Sequence, residues 1–198
     1  MLNKKQLSIE LSKLTPLENL KIKLEQYVLD SEVASEIILR INFNYDIKGK
    51  IIADFGCGNG ILGKGCLFFE SKKVYFVDTD KDALVIAKEN VKDKRGVFVE
   101  SDIKDFKKRV DVVIMNPPFG TKVKHIDREF LLKAFEVAGK IYSLHKITSI
   151  KFIEKLSKDH GFKVLDVIKL NIPLRKSYLF HKKKSKDVEV GLWILEKT

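Results

Sequence analysis

The sequence is poor in the residues that build disulfide scaffolds, metal sites and membrane spans. Its 198 residues hold two cysteines, Cys57 and Cys66, one tryptophan and four prolines. Two cysteines cannot supply a four-ligand zinc site or a disulfide framework, so reduced thiols in a cytoplasmic setting are expected. The four histidines, His125, His145, His160 and His181, are scattered and none pairs with another at ligand spacing on a helix, so no metal is expected. No apolar run approaches the roughly 18 residues that a membrane helix needs. The first residues, Met1-Leu2-Asn3-Lys4-Lys5-Gln6, lead into an amphipathic stretch and not an apolar segment, which argues against a secretory signal. Negative charge is short as well. Asp and Glu number 27 against 38 Lys and Arg, leaving a formal charge of +11. Such an excess suits a polyanion, usually nucleic acid, although Lys-rich surfaces also mark heat-adapted proteins.

What is present is a foldable core. Hydrophobic residues make up 44% of the chain, enough for one domain of this length. Leu7, Leu11 and Leu14 recur at helical spacing over residues 4–14, and Pro16 ends that helix. Residues 17–29 show no period and receive no assignment. Ser31 is expected to cap a helix running to Phe43, with Val33, Ile37, Ile38 and Ile41 on one face.

From Lys50 onward strands and helices alternate. Strands are expected at 51–53, 74–77, 97–99, 110–115 and 141–144. Helices are expected from the loop after 53 to about Glu70, at 81–90 with Asp80 as cap, at 129–138, and at 151–160 with Gly161 as stop. Two long strands, 162–170 and 188–195, close the sequence around a basic loop. Apolar strands separated by helices argue for a parallel sheet covered on both faces, and the last two strands for an added antiparallel hairpin.

The first strand runs into Asp54-Phe55-Gly56-Cys57-Gly58-Asn59-Gly60-Ile61. In an open α/β sheet a ligand binds beyond the C-terminal strand ends, and glycines let the backbone approach it. Two cofactors fit the loop. Gly58, Gly60 and Gly63 satisfy the dinucleotide fingerprint, with Asp78 about 20 residues on as the ribose acid. The run Asp54-x-Gly56-x-Gly58-x-Gly60 equally resembles motif I of class I S-adenosyl-L-methionine-dependent methyltransferases. An acid beside that loop suits a cationic sulfonium and an amino-acid head group.

After the fourth strand comes Asn116-Pro117-Pro118-Phe119. The prolines fix φ and remove backbone donors. The Asn116 side-chain oxygen and the Pro117 carbonyl can accept the two N–H bonds of a planar amine, and Phe119 can stack on the ring that carries it. Holding both hydrogens keeps the nitrogen lone pair out of the ring and available for methyl transfer without a strong base. A hydride-transfer enzyme has no use for this element, which decides between the two cofactors. The tetrapeptide resembles the Asn-Pro-Pro-Tyr/Phe motif of amino-methyltransferases, whose acceptors include adenine N6, cytosine N4, guanine N2 and protein glutamine.

Longer strings narrow the resemblance. Residues 114–122, Leu24-Glu25-Gln26-Tyr27, Tyr142-Ser143-Leu144-His145-Lys146 and Phe180-His181-Lys182-Lys183-Lys184-Ser185 are similar, in order, to the methyltransferase-like 5 family of archaeal and eukaryotic ribosomal-RNA adenine-N6 methyltransferases. The resemblance implies a Rossmann-like class I fold: a mostly parallel seven-stranded sheet with an antiparallel last strand and helices on both faces. It implies a helical extension at 1–48 on a methyltransferase domain at 49–198. It places the cofactor on Gln26, Asp54, Gly56, Gly58, Asn59, Gly60, Ile61, Asp78, Asp102 and Ile103. The pattern departs from the family at Val28-Leu29, where Pro-Thr is common, and at Asn59, where a second cysteine often stands. Eukaryotic members need a small zinc-ribbon partner of the Trm112 type. That partner would cover the edge strand at Val97, Phe98 and Val99, unless Lys94, Arg95 and Glu100 protect the edge.

RNA contacts are expected from Lys122 and Lys124 after the tetrapeptide, and from Arg175, Lys176, Lys182, Lys183 and Lys184, where Tyr178 and Phe180 interleave with the basic residues. The expected activity is methyl transfer to an adenine N6 of small-subunit ribosomal RNA. Guanine N2 or a protein glutamine is the alternative acceptor, and a non-catalytic RNA-binding module the alternative of another class.

Overall fold

The structure, a computed structural model, describes residues 2–120, 125–174 and 186–198. Its strands are β1 (Ile51–Phe55), β2 (Lys73–Asp78), β3 (Gly96–Glu100), β4 (Val112–Met115), β5 (Lys140–Lys146), β6 (Phe162–Leu174) and β7 (Lys186–Lys197). They form one seven-stranded sheet in the order β3-β2-β1-β4-β5-β7-β6. The first five are parallel, and β7 runs antiparallel to both β5 and β6. This is the expected mostly parallel sheet with an antiparallel last strand.

The helices are α1 (Lys4–Ser12), α2 (Ser31–Phe43), α3 (Ile61–Phe68), α4 (Lys81–Asn90), α5 (Ile126–Val137) and α6 (Ile150–Asp159). Each central strand feeds two cores, because its alternate residues point to opposite faces. Ile52, Val74, Phe76, Val112, Ile114, Tyr142 and Leu144 pack with α1 to α4. Ala53, Phe55, Val77, Val113, Met115, Ile141 and Trp193 pack with α5 and α6.

Several local expectations are corrected, among them strand β4, which begins at Val112 and not at 110. Asp30 rather than Ser31 caps α2: its carboxylate accepts from Glu32 N at 2.8 Å, and Ser31 is the first helical residue. The terminal hairpin is longer than expected at both strands, and α5 starts three residues before Glu129. The unassigned stretch 17–29 is irregular apart from one 3₁₀ turn, Ile22–Leu24. Side chains hold this strap over the C-terminal strand ends. Asn59 and Asn90 donate to Thr15 O at 3.1 and 3.0 Å, and Lys21 Nζ reaches Asp80 at 2.5 Å and Asp82 at 2.7 Å.

Candidate active site

The C-terminal ends of β1 to β4 and the strap enclose one cleft. Parallel strands place their carboxyl ends on the same side, so residues far apart in sequence converge there. The turn after β1 takes Gly56 and Gly58 at φ 66° and 54°, a region where a side chain is strained, and Gly60 (φ 84°) starts α3. Gly56 N and Cys57 N both donate to Val77 O, at 2.8 and 3.1 Å, which ties the turn to β2.

Two carboxylates organise the floor. Asp54 is buried, and its Oδ2 accepts from Gly63 N at 2.8 Å in the first turn of α3. Burial pushes its carboxyl up to about 7; the Gly63 N–H works against that shift and the nearby Asp78 adds to it. Asp78 accepts from Gly58 N and Asp80 N, both at 2.9 Å. Burial outweighs these bonds and holds its pKa above the ordinary carboxylate range. Each Asp78 oxygen keeps a lone pair for a further donor.

The other expected residues divide into walls and supports. Asp102 and Ile103 line the cleft, with Asp102 also capping a 3₁₀ turn by accepting from Lys104 N. Gln26 and Asn59 line it too, but their amides are engaged in holding the strap. Gln26 accepts from Lys21 N at 2.8 Å and donates to Asp80 at 2.7 Å, while Asn59 donates to Thr15 O. Ile61, Asn116 and Pro118 line the cleft, whereas Gly60, Pro117 and Phe119 are not part of its lining. Lys122, Lys124, Arg175, Lys176, Lys182, Lys183 and Lys184 lie outside the described residues.

Two residues escape the sequence reading. The Tyr27 hydroxyl donates to Asn116 Oδ1 at 2.5 Å, and its ring stacks on Phe119 with centroids 5.9 Å apart. Ser101 lines the cleft beside Asp102, and its buried Oγ has no hydrogen-bond partner. Tyr27 stood inside a conspicuous string, so its aromatic ring was a signal; a serine two residues before Ile103 gives none. The orphaned Ser101 hydroxyl, the spare acceptors of Asp78 and the apolar Ile103 together fit a nucleoside, with its ribose hydroxyls at the acid and its base against the isoleucine. Among the described residues no group of three or more His, Cys, Asp or Glu side chains could hold a metal ion. No helix among them is long and apolar enough to cross a membrane.

The methyltransferase small domain model matches residues 28–166. The rRNA N(6)-adenosine-methyltransferase METTL5 of Danio rerio is 37% identical over 94% of this chain and 95% of its own length. The Drosophila melanogaster Mettl5 is 34% identical over 90% of the chain and 89% of its own. A candidate RNA methyltransferase from Pyrococcus horikoshii, PH1948, superposes with a TM-score of 0.94 at 40% identity, over all of this chain and 99% of that one. A matching family model and relatives matched almost end to end agree with the fold: the chain belongs to the METTL5 family of methyltransferases, and S-adenosyl-L-methionine is its cofactor.

Proposed function

We propose that the protein methylates the N6 amine of an unpaired adenine in ribosomal RNA, with the small-subunit RNA as substrate. The observation that carries this reading is the position of Asn116, just past the end of β4, in the wall of the same cleft as Asp78. The names of the matched relatives and the +11 charge support RNA over a protein glutamine.

S-adenosyl-L-methionine supplies an electrophilic sulfonium methyl. Asp78 and Ser101 would hold the ribose hydroxyls, Asp102 would accept from the adenine amine of the cofactor, and Ile103 would pack on its ring. Gly56 and Gly58 would admit the amino-acid end, with Asp54 near its cationic groups. Asn116 Oδ1 and the Pro117 carbonyl would accept both hydrogens of the target amine, and Phe119 would stack on its base. These contacts localise the nitrogen lone pair and orient it toward the cofactor pocket, and water takes the released proton. The target must be unstacked to enter.

The half-buried edge of Val97, Phe98 and Val99 is the proposed seat of a Trm112-like zinc-ribbon protein. Strand β3 has no outer neighbour among the described residues. A cytoplasmic setting belongs to the same reading.

The test is incubation with labelled cofactor and small-subunit ribosomal RNA, followed by digestion to nucleosides. N6-methyladenosine is expected; label only in another nucleoside, or in protein, refutes the reading. Asn116→Ala in the same assay should lower the rate by about 10²–10³ while cofactor affinity stays near wild type.

A further inference from the structure

Asn116 Oδ1 and the Phe119 ring are the two side-chain groups that the proposed reaction reserves for the target base, and one side chain holds both. The Tyr27 hydroxyl donates to Asn116 Oδ1 at 2.5 Å. Its ring stacks on Phe119 with centroids 5.9 Å apart and planes 24° apart. A carbonyl oxygen has two lone pairs, so the hydrogen bond alone would leave room for a second donor. The stacked ring would not, because a base laid on that face of Phe119 needs the space of the phenol. An aromatic ring that carries a donor, stacks on Phe119 and bonds to Asn116 has the chemistry of an adenine presenting its amine.

We propose that Tyr27 is a tethered stand-in for the target base, closing the acceptor pocket until an unpaired adenine displaces it. The proposal rests on the reading of Asn116 and Phe119 as the acceptor site. The chain around Tyr27 suits displacement. Glu25, two residues before it, sits at φ 52°, a left-handed conformation that side chains other than glycine rarely adopt. Gln26 is pinned to Asp80 at 2.7 Å and Leu29 is buried, so the strap stays anchored on both sides of the ring that moves. Burial raises the Tyr27 hydroxyl pKa, against the lowering effect of the Asn116 bond, so the group remains a proton donor at neutral pH. The Lys146 ammonium lies 5.7 Å from the Phe119 ring centroid, a cation–π contact that helps hold this ring in place when its stacking partner changes.

Displacement makes RNA binding compete with an internal contact, so weakening that contact should tighten binding. The probe is a uridine-rich single-stranded RNA with one adenosine, titrated against wild type, Tyr27→Phe and Tyr27→Leu, with melting temperatures to confirm that each variant is folded. Tyr27→Phe keeps the ring and frees Asn116, and should lower the RNA Kd by about three- to tenfold, the size of one neutral hydrogen bond. Tyr27→Leu should bind at least as tightly as wild type. Affinity for S-adenosylhomocysteine should not change in Tyr27→Phe. An unchanged RNA Kd with a tenfold loss of kcat in Tyr27→Phe would make the tyrosine a fixed support of Asn116 and overturn displacement. Weaker binding confined to Tyr27→Leu would make the ring a clamp on the base and overturn it as well. Failure of the parent reading looks different: wild type then yields no N6-methyladenosine, whatever the variants bind.

Discussion

The two buried carboxylates of the site differ in what they bond, and their predicted mutant effects differ accordingly. Asp78 accepts two backbone N–H bonds and offers its remaining lone pairs to the cleft. Asp78→Ala should weaken S-adenosylhomocysteine binding by about 1–3 kcal/mol, measured by calorimetry, because ribose hydroxyls then enter the cleft unpaired. Unchanged affinity would remove Asp78 from the cofactor site. Asp54 makes one bond, to Gly63, in a fully buried position, and its pKa rises from 3.8 to about 7. A raised native pKa means that the folded protein binds the proton more tightly than the unfolded chain does. The stability this adds is complete below about pH 4 and is lost as pH rises to about 7. Asp54→Asn keeps an oxygen for Gly63 and removes the titration. Its stability relative to wild type should therefore increase from pH 4 to pH 7 and level off above. A flat difference in denaturant midpoints across that range would show that Asp54 ionises normally. Asp78, Cys57 and Cys66 are the titratable neighbours; the thiols are raised by their own burial and stay neutral throughout.

At the scale of elements, α2 and α3 meet at a glycine. A Cβ built on Gly65 would lie 1.9 Å from Ile38 Cδ1, closer than any real contact. Gly65→Ala should cost about 1–3 kcal/mol by overpacking, and Ile38→Val, which removes the clashing methyl, should restore part of it. Additive melting-temperature losses in the double variant would place the cost elsewhere. The same elements show what the sequence makes legible. Strands β1, β2 and β4 are buried on both faces and so read as apolar runs, and α4 is readable to the residue because Asp80 caps it, with its side chain on Asp82 N. The cap of α2 is misplaced by one residue because Asp30 and Ser31 are both good caps, and the choice falls on the one whose carboxylate reaches Glu32 N. The strap is illegible for a different reason. It has no period, and its place is set by side-chain bonds between residues 44 to 89 positions apart, such as Asn59 to Thr15, Gln26 to Asp80 and Tyr27 to Asn116. The tetrapeptide reads as an acceptor site in the sequence; only the fold shows Tyr27 of the strap bonded to Asn116 and stacked on Phe119.

At the scale of the molecule, charge and topology act together. Parallel strands gather Asp54, Asp78, Asp102 and Asn116 at one end of the sheet. Three carboxylates there make a poor bed for a polyanion, so on the proposed reading RNA would be held by the surplus of 38 basic over 27 acidic residues elsewhere on the surface, with one base delivered into the cleft. Long-range attraction and local recognition are thus separate, and salt distinguishes them. Log affinity for single-stranded RNA should fall linearly with log salt, by about 0.7 per phosphate contacted, while S-adenosylhomocysteine affinity stays nearly constant. The run Lys182-Lys183-Lys184 places three cationic residues in succession. Changing all three to Ala should flatten the slope by about two if each meets a phosphate. Filter-binding titrations from low to physiological salt would read this. An unaltered slope would assign the phosphate contacts to other basic residues, Lys122, Lys124, Arg175 and Lys176 first, and would leave the lysine run as a solvated loop.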